Sequence, residues 1–203
     1  IILAVKPQDA ARLFESITPF LDPQQVILSI MAGVKITTIE KALQARKIIR
    51  AMPNLPAQIG MGMTVFTSSD EVTRIELVTV QNLLNTTGKT MYVEEEHFLD
   101  AATAISGSGP AYVWFFMDAL IQAAMEMGFS QPEAELLVGQ TFYGAIELHN
   151  TRDISCAEWI KRVSSRGGTT EAAMESYRQS AVHRDIIEGA LSALKRAREL
   201  GEE

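Results

Sequence analysis

Short apolar runs alternate with helical repeats through the first part of the chain. Ile1 to Val5 is apolar and β-rich and reads as a buried strand. Pro7 then stands where a helix begins, because its fixed φ suits the first turn. Ala10, Leu13, Phe14 and Ile17 recur at helical spacing up to Pro19. Val26 to Met31 reads as a second strand, closed by Ala32-Gly33. Ile36, Ile39, Ala42 and Leu43 predict a short helix, and Lys47 to Ala51 a third strand ending at Met52-Pro53-Asn54. Thr64 to Phe66 follows as a fourth strand, Val72 to Leu84 as an amphipathic helix, and Thr90 to Val93 as a last strand before Glu94-Glu95-Glu96. This alternation predicts an open, mainly parallel α/β sheet, with Ile1–Val5 inside it or at its edge beside Val26–Met31.

After about residue 96 no strand pattern appears, so residues 1–95 and 96–203 read as two domains, the second all-helical. Phe98 to Ala104 is helical, and Ser106-Gly107-Ser108-Gly109-Pro110 is expected to break it. Ala111 to Met127 is an apolar run interrupted by Asp118, Gln122 and Glu126, which predicts a buried helix and no membrane span. Ser130 with Glu133 makes a capping box for a helix reaching about His149, and Ser155 with Glu158 makes another. Ser164 to Gly168 interrupts, Thr170 opens a further helix, and Asp185 to Leu200 completes the last one at Gly201. The helical half carries more apolar surface than one small domain can hide, including Trp114, Phe115, Phe116, Met117, Met125 and Phe129. A homodimer through these helices is expected.

Composition narrows the function classes. The 203 residues are 47% hydrophobic and 21% charged, as in a soluble globular protein. Net charge is −7 with both signs interspersed, so there is no basic footprint for DNA or RNA. Cys156 is the single cysteine, which rules out an intrachain disulfide and suits a reducing cytoplasm. His97, His149 and His183 are too far apart in sequence to suggest a metal site, and none is expected. No signal peptide is seen, and the chain opens on Ile1 as if on a strand in mid-domain.

Three glycine-bearing segments could carry chemistry. Ala4-Val5-Lys6-Pro7 turns from a strand into a helix, and ligands of open α/β sheets bind at such carboxyl ends. This turn and Ala32-Gly33 are expected to share a crevice, although a surface lysine and a turn glycine fit the spacing equally well. Ser106 to Ala111 puts two serines and two glycines before a helix, where bare backbone and free N–H groups could meet a ligand. Val163 to Thr170 puts four hydroxyls and two glycines ahead of a helix, a setting that favours a carboxylate. One hydroxyl would suffice for a plain N-cap; four favour binding.

Leu3-Ala4-Val5-Lys6-Pro7, Ala32-Gly33-Val34, Arg50-Ala51-Met52-Pro53-Asn54, Ser106 to Tyr112, and Val163-Ser164-Ser165 with Gly167-Gly168-Thr169-Thr170 occur in an order and spacing that resembles the pyrroline-5-carboxylate reductases. The resemblance runs from residue 1 to about 198. It implies a partial Rossmann-like dinucleotide-binding domain followed by an all-α dimerisation domain. The implied reaction is reduction of 1-pyrroline-5-carboxylate to L-proline by NADPH or NADH in a homodimer or larger homo-oligomer. Ala4, Val5, Lys6, Pro7, Ala32, Gly33 and Asn54 are then expected at the cofactor, and Thr103 near the ring nitrogen. Val163, Ser165, Gly167, Gly168, Thr169 and Thr170 are expected at the substrate carboxylate.

The sequence departs from the family pattern in places. Arg166 stands where proline is usual, Asp153-Ile154-Ser155 replaces a more usual acidic-His-Pro stretch, and Leu55 follows Asn54 where threonine is common. No G-x-G-x-x-G fingerprint occurs in these residues, so on the order of 60 preceding residues, two βαβ units, are expected to lie outside the chain. Two other readings remain open at this point. One is an oxidoreductase of the β-hydroxyacid dehydrogenase kind, which would place a catalytic lysine where this chain has hydroxyls. The other is a non-catalytic dimerising fragment.

Overall fold

The computed structural model describes residues 1–201 as two compact units, one formed by Ile1–Pro110 with the chain from Gly189 onward, the other by Ala111–Glu188. Five strands build the sheet of the first unit: β1 (Ile2–Leu3), β2 (Ile27–Ser29), β3 (Ile48–Met52), β4 (Gly62–Ser68) and β5 (Gly88–Tyr92), in that spatial order. β1, β2 and β3 run parallel because α1 (Ala10–Ile17) and α2 (Ile36–Leu43) return the chain between them. The pair β3–β4 is antiparallel. Only residues 53–61 join those strands, with a 3-10 turn at Leu55–Ile59, and a parallel crossover needs roughly a dozen residues or more. After α3 (Arg74–Asn85), β5 lies parallel to β4. The expected sheet is thus present, with one antiparallel joint.

Strand alternation sorts the core onto two faces. Ile27 and Ile48 join Phe14, Ile39 and Leu43 on the side of α1 and α2, whereas Leu28, Ile49 and Phe66 join Leu84 of α3 on the other. Each such apolar side chain contributes about 1.5–3 kcal/mol on burial. β1 lies beside β2, as its apolar run predicts, and Leu3 is buried.

Among the described residues, one charge lies inside this unit. Arg50 on β3 is 4% exposed, and its guanidinium donates to Glu96 at 2.8 Å and approaches Asp100 at 3.6 Å. The same Glu96 oxygen accepts the Ile36 N–H at 2.8 Å, at the start of α2, where Lys35 offers no side-chain cap. A carboxylate there also meets the positive end of the helix dipole.

α4 (Phe98–Ala102) does not end in the expected break. It passes through a π turn at Thr103–Gly107 into α5 (Gly109–Glu126). The glycine-rich run stays helical, with Pro110 in the first turn of α5. The remaining helices are α6 (Gln131–Asn150), α7 (Cys156–Val163), α8 (Thr169–Gln179) and α9 (Val182–Leu200). Ser130 donates both its N–H and its hydroxyl to Glu133, as the capping pattern predicts. At α7 only half of the second box forms: Ser155 accepts the Glu158 N–H, and the Glu158 carboxylate turns to Arg162.

The Ala111–Glu188 unit is all-helical and almost coreless. Among the described residues only Ala134 and Val138 are buried there, and no residue of α5 is. The expected burial of the Ala111–Met127 run is therefore not met within one chain. Phe115, Trp114, Leu136 and Tyr143 face outward, and an apolar cavity of about 990 Å³ opens between Phe116, Phe142, Ile160 and Met174.

Glu76 caps α3. Its carboxylate accepts from the Lys47 ammonium at 2.8 Å and from the Thr73 N–H at 2.8 Å, which lowers its pKa from 4.5 to about 2, the Lys47 bond being the largest cause. A folded-state pKa below the unfolded one stabilises the fold above the unfolded value, and the contribution fades as pH falls through the folded value. Glu76→Gln should therefore lower the melting temperature at pH 7, and the gap should close progressively between about pH 4.5 and 2. Melting curves across that range check it; a gap constant with pH would mean the carboxylate charge is not what caps the helix.

Candidate functional site

The carboxyl ends of β1 and β2 form the expected crevice. Ala4-Val5-Lys6 leads from β1 into a 3-10 turn at Pro7–Asp9, closed by the Asp9 N–H on the Lys6 carbonyl at 2.9 Å. The Ile30 N–H donates to the Leu3 carbonyl at 3.0 Å, which holds the two strand ends side by side. Pro7, Ala32 and Gly33 then wall one cavity of about 920 Å³ with Phe14, Val34 and Thr38. Gly33 takes φ +77°, and a Cβ there would meet the Leu200 carbonyl oxygen at 3.0 Å, so the turn needs glycine on both grounds. Ala4, Val5 and Lys6 stand on the turn but are not among the cavity walls.

Asn54, two residues beyond β3, has its side-chain amide engaged by backbone at both ends. Its Oδ1 accepts the Met63 N–H at 2.9 Å and its Nδ2 donates to the Ser106 carbonyl at 3.0 Å. The amide is a clamp between β4 and the π turn.

Thr103 opens that π turn and is half-buried. Its hydroxyl donates to the Leu99 carbonyl at 2.8 Å, one turn back. With the proton committed there, the lone pairs of Oγ1 are left to accept from an N–H group. Ser106 likewise donates back to Ala102, and the Ser108 N–H bonds the Thr103 carbonyl at 2.8 Å. The free backbone donors expected at Ser106–Ala111 are thus absent in part, because the run is helical and Ser108 is engaged.

In the Ala111–Glu188 unit, Val163 ends α7 and the loop from Ser164 runs to Thr169 at the start of α8. Ser164 donates to the Ile160 carbonyl at 2.7 Å and takes no part in the loop face. The Gly168 N–H closes the turn on the Ser165 carbonyl at 3.0 Å and is spent within the loop. The Gly167 N–H donates to the Glu171 carboxylate at 2.6 Å. Among the described residues the N–H groups of Thr169 and Thr170 and the Ser165 hydroxyl have no protein partner. Two glycines shape the turn. Gly167 needs its φ of +71°, with open space around it, and a side chain at Gly168 would strike the Ser165 hydroxyl.

Sequence reasoning missed three contacts. Glu171 was legible only as an acidic residue in a first helical turn. The Asn54 clamp had a signal in Pro110, four residues after Ser106, since proline has no N–H to serve that carbonyl. The Arg50–Glu96–Asp100 cluster had none, because its members lie far apart in sequence. No group of three His, Cys, Asp or Glu among the described residues could hold a metal ion. No helix among them is long and apolar enough to cross a membrane.

Comparison with known proteins places these features in a family. Residues 96–200 match the model of the pyrroline-5-carboxylate reductase dimerisation domain. Pyrroline-5-carboxylate reductase 2 of Bacillus subtilis is 37% identical over 100% of this chain and 73% of its own length. The Pseudomonas aeruginosa pyrroline-5-carboxylate reductase is 34% identical over 100% of this chain and 75% of its own. The crystal structure of Plasmodium falciparum pyrroline carboxylate reductase with NADP bound superposes with a TM-score of 0.93 at 30% identity, covering 99% of this chain and 76% of that one. A continuous match over sheet and helices, at this identity, means that the chain belongs to the pyrroline-5-carboxylate reductase family.

Proposed function

We propose that the protein reduces 1-pyrroline-5-carboxylate to L-proline with NADPH or NADH as hydride donor. The observation that carries the reading is the Glu171 carboxylate on the Gly167 N–H, beside the unspent N–H groups of Thr169 and Thr170. A loop that already accepts a carboxylate at a helix N-terminus has the chemistry to hold the substrate's own. Ser165, Thr169 and Thr170 are its donors in this reading, while Gly167 turns the loop and gives its N–H to Glu171. Gly168 keeps the loop tight, and Val163 contributes backbone. Arg166, exposed and without an ion pair among the described residues, adds positive charge to the loop.

Nitrogen recognition is assigned to Thr103. A protonated imine accepts hydride far better than a neutral one, and a hydroxyl whose own proton is engaged by Leu99 is set to accept from the N–H⁺. Thr103 then favours the reactive protonation state without acting as an acid. For the nicotinamide, the crevice walled by Pro7, Ala32 and Gly33 fits: it lies at strand carboxyl ends, with apolar Phe14 and Val34 beside polar Gln8, Glu15 and Thr38. Ala4, Val5 and Lys6 would line its approach. The bound nicotinamide supplies the hydride; these residues supply orientation and exclude water. No glycine fingerprint for the pyrophosphate occurs in this sequence. Asn54 is assigned to the same neighbourhood as a holder of backbone.

The apolar surplus of the helical unit supports a homodimer, with Phe115 and Leu136 among the covered residues. A second copy is the natural cover because helices apolar on several sides must be buried. The single exposed Cys156 suits a reducing cytoplasm.

Two kinetic variants and one hydrodynamic one test this. Ser165→Ala should raise KM for the imine about tenfold, one hydrogen bond of about 1.4 kcal/mol, with little change in KM for the dinucleotide. An unchanged imine KM would reduce the loop to a helix cap. Thr103→Val should lower kcat and leave both KM values near their starting points, since the contact strengthens as charge sits on nitrogen. In sedimentation at micromolar concentration the protein should run as a dimer or larger and Phe115→Arg as a monomer; a monomeric parent protein would sink the interface.

A further inference from the structure

We infer that Asn54 is a positioning residue for the reduction, acting through the π turn that carries Thr103 and not by contact with cofactor or imine. The inference rests on the reading of Thr103 as partner of the ring nitrogen. It begins with two backbone groups that ordinary secondary structure leaves unserved. In the β3–β4 ladder Met52 pairs with Val65, so the next positions would pair Pro53 with Thr64 and Asn54 with Met63. The chain leaves the sheet at Pro53, and the Met63 N–H is taken by the Asn54 side chain at 2.9 Å. On the other side, the Ser106 carbonyl lies in a helical run whose donor four residues on would be Pro110, which has no N–H. Asn54 Nδ2 fills that vacancy at 3.0 Å.

Few side chains could do both. The clamp needs an acceptor and a donor fixed on one short, planar group. Aspartate lacks the donor, serine is too short to span, and glutamine adds a methylene that must be ordered. A partly buried carbonyl left without its donor would pull the turn toward another helical register. Gly107 packs on Met52, where a Cβ would come within 3.0 Å of the Met52 methyl, so the same strand end touches the turn twice. The π turn holds Thr103 in its place because the Ser108 N–H reaches back five residues to the Thr103 carbonyl at 2.8 Å. A slip from π to α spacing would rotate the flanking helices against each other by about 100°. π turns of this kind occur at functional sites, and here one starts on the hydroxyl assigned to the nitrogen.

The test restores the missing backbone donor. Asn54→Ala should lower kcat about tenfold or more, with KM for imine and dinucleotide within about twofold. Adding Pro110→Ala to that variant supplies a backbone N–H to the Ser106 carbonyl and should return most of the lost kcat. A merely structural loss would not be rescued by removing a proline elsewhere. Should Asn54→Ala alone fail to fold, the double variant should fold and turn over; if it too fails, the amide serves Met63 alone and the inference is overturned. It is also overturned if Asn54→Ala raises KM for the dinucleotide at unchanged kcat, which would mean direct contact with the cofactor, or if Pro110→Ala gives no rescue. The two levels separate cleanly. A normal kcat in Thr103→Val removes the reading of Thr103, whereas a lowered kcat there with a normal kcat in Asn54→Ala removes only the role given to Asn54.

Discussion

A single buried cation ties together the parts of the sheet unit that matter for chemistry. Arg50 sits on β3 with almost no access to water, and a guanidinium so placed is tolerable only with carboxylates at hand. It has two, Glu96 and Asp100, brought by the segment that follows β5 and by α4. Glu96 then receives the first N–H of α2, the helix that begins just after the Gly33 turn. Apolar packing alone would hold these elements together without fixing their orientation, because it has no direction. The charge network has direction. It references the Gly33 turn and the helix leading to Thr103 to one strand.

The helical unit works by the opposite rule. Helices α6, α7 and α8 form, cap and turn correctly, yet they enclose almost nothing. Phe115 is 73% exposed and Leu136 71%, far more than an isolated soluble domain would leave to water without reason. Secondary structure there is set locally by caps such as Ser130 with Glu133, while burial depends on surface from outside the unit. Local and tertiary stability are thus divided between the two units. The sheet unit carries all three buried apolar clusters found among the described residues.

The Ser164–Thr170 loop shows how one arrangement serves capping and recognition at once. The donors that a helix must expose at its N-terminus are the ones a carboxylate needs. Glu171 uses the Gly167 N–H and leaves those of Thr169 and Thr170 open. A loop that merely capped α8 would spend a hydroxyl on those groups, as Thr73 does for Glu76 at α3. Neither Ser165, Thr169 nor Thr170 is so spent among the described residues.

Local pattern alone settled the order and type of nearly every element. Period-two and period-3.6 repeats are properties of consecutive residues, so β2, β3, α1, α2 and the capped start of α6 could be read directly. The crevice joining Pro7 to Ala32 and Gly33 was legible for the same reason, since the ends of adjacent parallel strands must lie together. Tertiary structure decided what depends on residues distant in the chain. The antiparallel joint at β3–β4 and the exposure of α5 follow from which surfaces meet. The helix through Ser106–Pro110 survives its glycines and proline because Asn54, far upstream, supplies a donor that no local rule foresees. Arg50 is a strand residue in the sequence and a buried junction in the fold. Burial and hydrogen-bond satisfaction are sums over neighbours in space, and a linear pattern specifies neighbours only along the chain.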